Sequence, residues 1–152
     1  MKGAVKVMQW IDKLIQKLYL KQKDNMVFTD PNFKVHTSYY FNRLLVKEYQ
    51  NKECIVVYAD VNGLSKFPVE EGDEILRLVI RDIRNLEPKE LVKCGGDEFV
   101  FLFNKDFNVK NLDTIRRVSY GYVMKEKGED LTEAMLKASQ YAKKRKNKRQ
   151  KR

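Results

Sequence analysis

Apolar residues recur along the first segment at alternating steps of four and three, at Ala4, Met8, Ile11, Ile15 and Leu18, which predicts one stripe on a helix running to about Lys23. Such a stripe either packs on its own domain or pairs two subunits as a short coiled coil, and the sequence leans to packing. Asp24-Asn25 and Asp30-Pro31 punctuate the next stretch, after which Tyr40, Phe41, Leu44, Leu45 and Tyr49 space a second amphipathic helix. Cys54 to Ala59 is a short β-branched run with the pattern of a buried central strand, and Asp60 closes it. Leu76, Val79, Ile80 and Ile83 define a third helix that starts near Glu70 and is followed by Pro88. Leu91 to Cys94 and Phe99 to Phe103 flank Gly95-Gly96, which predicts a hairpin whose turn uses glycine for its positive φ. Val118 to Met124 reads as a last strand, and Leu131, Ala134, Met135, Ala138 and Ala142 as a last helix. This order predicts an α+β sandwich with a central, mostly antiparallel sheet flanked by helices.

Composition narrows the class. The 152 residues are 43% hydrophobic and 34% charged, a globular mixture long enough for one cored domain and an appendage. The chain carries a net charge of +10, and eight basic residues fall between Lys143 and Arg152, so the rest is nearly neutral. The end of that block, 148–152, is expected to be a solvated tail able to contact nucleic acid or anionic surfaces. Cys54 and Cys94 match no metal or redox spacing, and Asp12, Lys13 and Lys17 break the first apolar segment. A disulfide scaffold is excluded, no transmembrane segment is predicted, and the expected compartment is the cytoplasm.

Two acidic sites sit at awkward points: Asp60 at the end of a hydrophobic strand, and Asp97-Glu98 at the hairpin turn. If the strands are neighbours, these carboxylates converge. Hard oxygen ligands of that kind suit Mg²⁺, which uses one or two carboxylates together with substrate phosphates, and the chemistry implied is metal-assisted attack on a phosphate. His36 has no partner at metal spacing and reads as a packing or surface histidine, Cys94 as a small buried group, and Trp10 as core or dimer interface.

Cys94-Gly95-Gly96-Asp97-Glu98-Phe99 contains an intact GGDEF signature, and with it the chain resembles the diguanylate cyclase (GGDEF) family. Tyr58-Ala59-Asp60-Val61-Asn62-Gly63-Leu64 is similar to that family's strand-end Asp motif, and Glu71-Gly72-Asp73-Glu74 to its Gly-Asp helix start. Thr29-Asp30-Pro31 with Tyr40-Phe41, then Ser119 and Gly121, then Ala138, Ala142 and Lys143 extend the likeness over roughly Phe28 to Asn147. It implies a palm-type, nucleotidyl-cyclase-like (ferredoxin-like) domain at 28–147, preceded by the helix at 1–27. By resemblance, Asp60, the carbonyl of Val61, and Asp97 would hold two Mg²⁺ or Mn²⁺ ions, with Glu98 assisting the metals or activating the ribose 3′-hydroxyl. The amides around Gly63 and Leu64 would hold the triphosphate, Gly96 would let substrate lie against the turn, and Asp73 would read a purine. Lys143, with Lys146 nearby, would neutralise phosphates. A homodimer would then join two nucleoside triphosphates into a cyclic dinucleotide.

The departures are specific. Ser65 stands where the family has Lys, so that Lys66 becomes the available cation, and Pro68 stands where an Asn reads guanine. Asp73 still favours guanine, so the expected substrate is GTP ahead of ATP. Arg84-Asn85-Leu86-Glu87 departs from the family's Arg-x-x-Asp inhibitory motif, so no high-affinity inhibitory site is expected, and Gln140 replaces a common Tyr in the closing helix. Besides a diguanylate cyclase, two alternatives follow: a degenerate GGDEF module that binds nucleotide or a partner without turnover, and a palm-type cyclase with an adenine-containing product.

Overall fold

A computed structural model describes residues 2–150, with side chains described outside 22–26. The elements are α1 (Lys2–Phe28), β1 (His36–Thr37), α2 (residues 38–48), β2 (Cys54–Val61), α3 (Val69–Asn85), β3 (Glu90–Lys93), β4 (Glu98–Phe103), β5 (Val118–Lys125) and α4 (Leu131–Gln150). Short 3₁₀ turns cover Leu64–Lys66 and Val109–Thr114. The five strands form one sheet in the order β1-β3-β4-β2-β5. Only the β1–β3 pair is parallel, and the sheet is otherwise antiparallel. This is the α+β sandwich expected from the pattern, with the palm-like sheet that the resemblance implies.

Both faces of β2 are covered, which explains its unbroken apolar run. Ile55, Val57, Ala59 and Val61 point to one core with Phe99, Phe101 and Phe103 of β4 and with Ile75, Leu76, Val79, Ile80 and Ile83 of α3. Cys54 and Val56 point to the other, with Val100, Leu102, Phe41 and Leu45 of α2, and Leu131 and Ala134 of α4. Helix α2 contains a π turn at Phe41–Leu45. Phe41, Leu45 and, at the helix end, Tyr49 are buried and recur every four positions, a spacing that drifts around a regular α-helix and that the wider turn brings back to one face.

Lys125 is fully buried, its ammonium donating to the carbonyls of Lys52 at 2.8 Å and Glu126 at 3.0 Å. Lys125→Ala should cost about 2 kcal/mol by urea denaturation, because hydrogen bonds from a charged donor are lost and two carbonyls are left dry. An unchanged midpoint would show that water replaces the lysine.

Three expectations need correction. The first helix runs through Asp24-Asn25 to Phe28, and its stripe does not pack on its own domain: Met8 is 67% exposed, Ile15 59% and Leu18 58%. Amphipathic spacing gives the stripe but not its partner. Neither Gly95 nor Gly96 has positive φ, since three residues separate the hydrogen-bonded pair Cys94 and Glu98 and spread the reversal. Helix α4 passes through position 148 without a break to Gln150, because Lys146 and Arg149 find oxygen acceptors at the end of the sheet. Lys151 and Arg152 of the expected tail lie outside the described residues. Among the described residues, no helix is long and apolar enough to cross a membrane.

Candidate functional site at the end of the central strands

Strands β2 and β4 are neighbours, and the register sets Asp60 opposite Glu98. The Val61 N–H donates to the Asp97 carbonyl at 2.9 Å, which ties the hairpin turn to the end of β2. Asp60, Asp97 and Glu98 are thus brought to one end of the sheet. Lys93 donates to the Gly95 carbonyl at 2.6 Å and braces the turn. A Cβ at Gly95 would lie 3.2 Å from the Glu98 carboxylate, whereas one at Gly96 would meet nothing within 4 Å.

Helix α4 reaches this end because Gly121, in β5, lets it lie on the sheet. A Cβ there would sit 2.2 Å from the Ala138 carbonyl oxygen and 2.5 Å from the Ala142 nitrogen. Ala138, Ala142 and Lys146 follow one another at four-residue steps along the helix, so the stripe that packs on Gly121 ends in a cation. The Lys146 Nζ lies 3.1 Å from Asp60 Oδ2. Asp60 Oδ1 is buried and has no hydrogen-bond partner. Burial raises the Asp60 pKa above the usual carboxylate range, Asp97 and Glu98 add to the rise, and Lys146 opposes it. Burial also pushes the Cys94 thiol up to about 12, with the Glu98 charge contributing, so it is no thiolate at neutral pH.

An open cleft of about 540 Å³ adjoins Asp60, lined by Asn62, Gly63, Lys66, Ser119, Lys146 and Arg149 among others. Gly63 has φ +67, the left-handed conformation that glycine adopts without strain, and opens the 3₁₀ turn of Leu64–Lys66. Leu64 anchors that turn by packing on the α3-side core, and a Cβ added at Gly72 would lie 3.5 Å from its side chain. Lys66 and Lys146 therefore share the cleft, while Lys143 is exposed and points to no acceptor among the described residues. Asp73 is half-buried on α3, away from the cleft lining.

Three contributors escaped the sequence reading. Arg149, assigned there to the tail, donates to the Val118 carbonyl at 3.3 Å and lines the cleft. Asn62 accepts from the Ser119 hydroxyl at 2.9 Å, which fixes both polar groups on the cleft wall. The signal for Arg149 was present, three residues beyond Lys146 on one helix, but a run of like charges masks which of its members turns inward.

The orphaned Asp60 oxygen is the feature that fits a divalent cation. No group of three or more His, Cys, Asp or Glu side chains suited to a metal is assembled among the described residues. Mg²⁺ does not require one, since it is held by one or two carboxylates with substrate oxygens and water.

No family model and no curated protein matches the sequence. Solved structures match the fold. The coiled coil and GGDEF domain of DgcB from Caulobacter crescentus, in complex with c-di-GMP, superposes with a TM-score of 0.74 at 16% identity, covering 94% of this chain and 92% of that one. Diguanylate cyclase SiaD of Pseudomonas aeruginosa, in complex with its activator SiaC, gives 0.68 at 15% identity over 97% of this chain and 68% of that one. The FimX GGDEF domain of Pseudomonas aeruginosa gives 0.66 at 17% identity over 80% and 94%. The chain has the fold of GGDEF domains.

Proposed function

We propose, from that fold and from the GGDEF signature at the hairpin turn, that this chain is a nucleotidyl cyclase joining two purine nucleoside triphosphates, GTP ahead of ATP, into a cyclic dinucleotide. The observation that carries the reading is the buried, unpartnered Asp60 oxygen beside Asp97 and Glu98, next to a cationic cleft. Asp60, Asp97 and the Val61 carbonyl, with Glu98, would hold Mg²⁺ or Mn²⁺. When bound, such ions supply charge for the developing phosphate oxyanion and lower the pKa of the attacking hydroxyl.

The chain's own residues supply the rest. Lys66, Lys146 and Arg149 neutralise the triphosphate, and the Gly63 turn offers backbone close to it. Lys146 holds the charge of Asp60 in check until cation and substrate arrive, then is free to turn to phosphate. Glu98 can accept the proton of the 3′-hydroxyl. Asp73 offers a carboxylate to the donor edge of guanine. Each subunit presents one nucleotide, so the reaction needs a homodimer, and the exposed stripe of α1 is the surface that brings two subunits together.

Gly96 separates a role in ligand binding from a role in folding. Because a Cβ there meets nothing and no left-handed φ is required, Gly96→Ala should keep its stability within about 0.5 kcal/mol. It should weaken nucleotide binding about tenfold or more, read by calorimetric titration. An unaltered affinity would remove the turn from the substrate site.

A second reading, a module that binds nucleotide or a partner without turnover, draws on Pro68 in the base-reading position and on Lys146 held against Asp60. Pro68 equally leaves room for an adenine-containing product. Purified protein incubated with Mg²⁺ or Mn²⁺ and GTP, ATP or both, with products identified by mass spectrometry, separates these. A cyclic dinucleotide that disappears in Asp97→Ala establishes the cyclase and names its base. Bound nucleotide without turnover establishes the module.

A further inference from the structure

We infer that the free edge of β5 is a strand-addition site for an extended acidic segment of a partner protein, with acidic and apolar residues alternating. This rests on a part of the molecule that the nucleotide chemistry does not use.

Strand β5 closes one side of the sheet and, among the described residues, has β2 as its only strand neighbour. The Asn62 N–H donates to the Arg117 carbonyl at 2.8 Å, in step with the register that pairs Val61 with Val118. Antiparallel ladders alternate, so residues 119, 121, 123 and 125 direct their backbone groups at β2 while Tyr120, Tyr122 and Met124 direct theirs outward. The outward Val118 carbonyl, next in that series, is taken by Arg149. Nothing comparable covers Tyr122 or Met124: no backbone hydrogen bond from a turn or loop reaches them among the described residues. Edge strands are ordinarily blunted by charge, proline or a bulge, and Tyr122-Val123-Met124 carries none of these. The one charge at its end, Lys125, is buried.

The two sides of this edge differ. On the α4 side an open groove of about 670 Å³ runs beside the strand, with Lys137, Lys144, Arg145 and Lys148 on its helix wall and Glu129 as its one acid. On the opposite side Tyr122 packs on the α3-side core, and Met124, 44% exposed, extends the shelf. Arg145 leans across the strand, its guanidinium 4.4 Å from the Tyr120 ring centroid, and marks one end of the open stretch. A strand laid against β5 sends alternate side chains to the two faces, so those facing α4 meet four cations and those between them meet Tyr122 and Met124. Acidic alternating with apolar is the pattern that complements both. A second copy of β5 is disfavoured, since it would bring the same cations against their equivalents. Single-stranded nucleic acid would satisfy the cations but not the outward peptide groups.

The test uses the full chain and a fluorescein-labelled peptide of alternating Glu and Val, with alternating Lys and Val as control. The expected results are saturable binding of the acidic peptide alone and at least tenfold slower amide hydrogen exchange at Tyr122 and Met124. Lys137→Glu combined with Lys144→Glu should weaken binding at least tenfold. Met124→Pro, which removes an outward N–H and leaves pairing to β2 intact, should abolish it with an unaltered circular dichroism spectrum. Binding without protection of those two amides would overturn the proposal, because charge alone would then account for it. No binding at millimolar peptide would also overturn it, as would an oligouridylate that binds the groove and is not displaced by the peptide.

Discussion

Asp60→Asn should reduce cyclic dinucleotide formation by about 10³ or more and, at neutral pH, raise the Tm. The first effect follows from losing the one carboxylate oxygen that is buried and unpartnered among the described residues, at the end of β2 where the proposed cation would sit. The second follows from the Asp60 environment. Burial, with the Asp97 and Glu98 carboxylates adding to it, lifts the folded-state pKa above that of the unfolded chain, and Lys146 offsets only part of the lift. Between the unfolded and the folded pKa, the folded protein therefore keeps a proton that the unfolded chain has already released. Stability from this group is fully present below the unfolded pKa and is lost as pH rises through the folded value. Asparagine never ionises and takes no such loss, while its side-chain oxygen can still accept from Lys146. The Tm gap between variant and parent should thus open between acid and neutral pH and close again in acid. A variant that is less stable than the parent at pH 7 would mean that the Lys146 pair outweighs desolvation. A variant that still turns over would remove Asp60 from the reaction.

The second large effect is expected at Gly121→Ala. Added carbon at this position meets helix backbone at 2.2 Å and 2.5 Å, and backbone in the middle of α4 cannot swing aside as a side chain would. Overpacking of this kind costs about 1–3 kcal/mol, and here the value should fall in the upper part of that range. The same displacement carries Lys146 away from Asp60 and Arg149 away from Val118, so nucleotide affinity should fall with stability. Urea unfolding should show a lower midpoint at an unchanged slope, and titration a weaker nucleotide complex. Gly3→Ala is the matched control, since nothing lies within 4 Å of that position. Equal midpoints for the two variants would show that α4 does not seat on the sheet at Gly121.

Why some of this could be read from the chain and some could not has a physical basis. A strand buried on both faces leaves an uninterrupted β-branched run, so Cys54 to Asp60 was legible together with the acid that ends it. The convergence of Asp60 with Asp97 and Glu98 followed because antiparallel neighbours place a strand end beside a hairpin turn. The two-residue strand β1 was not legible, since His36 and Thr37 are too few to show a period. Lys125 gave no sign of burial because its satisfaction comes from main-chain carbonyls, which every sequence possesses. Gly121 appeared only as an echo of a family pattern, and its reason, a helix lying directly on the strand, is a distance. The stripe on α1 was legible as a stripe, but its exposure depends on where the chain turns after Phe28.

In the proposed homodimer, that exposed helix makes copy number a control variable. At 27 residues α1 is about 40 Å long, and Met8, Trp10, Ile15 and Leu18 along it are exposed, free to be covered by a second copy in the proposed dimer. Below the dissociation constant of the proposed dimer, the population of paired subunits varies with the square of total protein, so a tenfold dilution leaves about one-hundredth of the pairs. Output per molecule then drops as the protein becomes scarce, with no ligand or modification required. For the proposed cyclase, a few-fold change in expression would change product output considerably more than a few-fold, and small adjustments to the α1 stripe would reset the threshold without touching Asp60, Asp97 or Glu98.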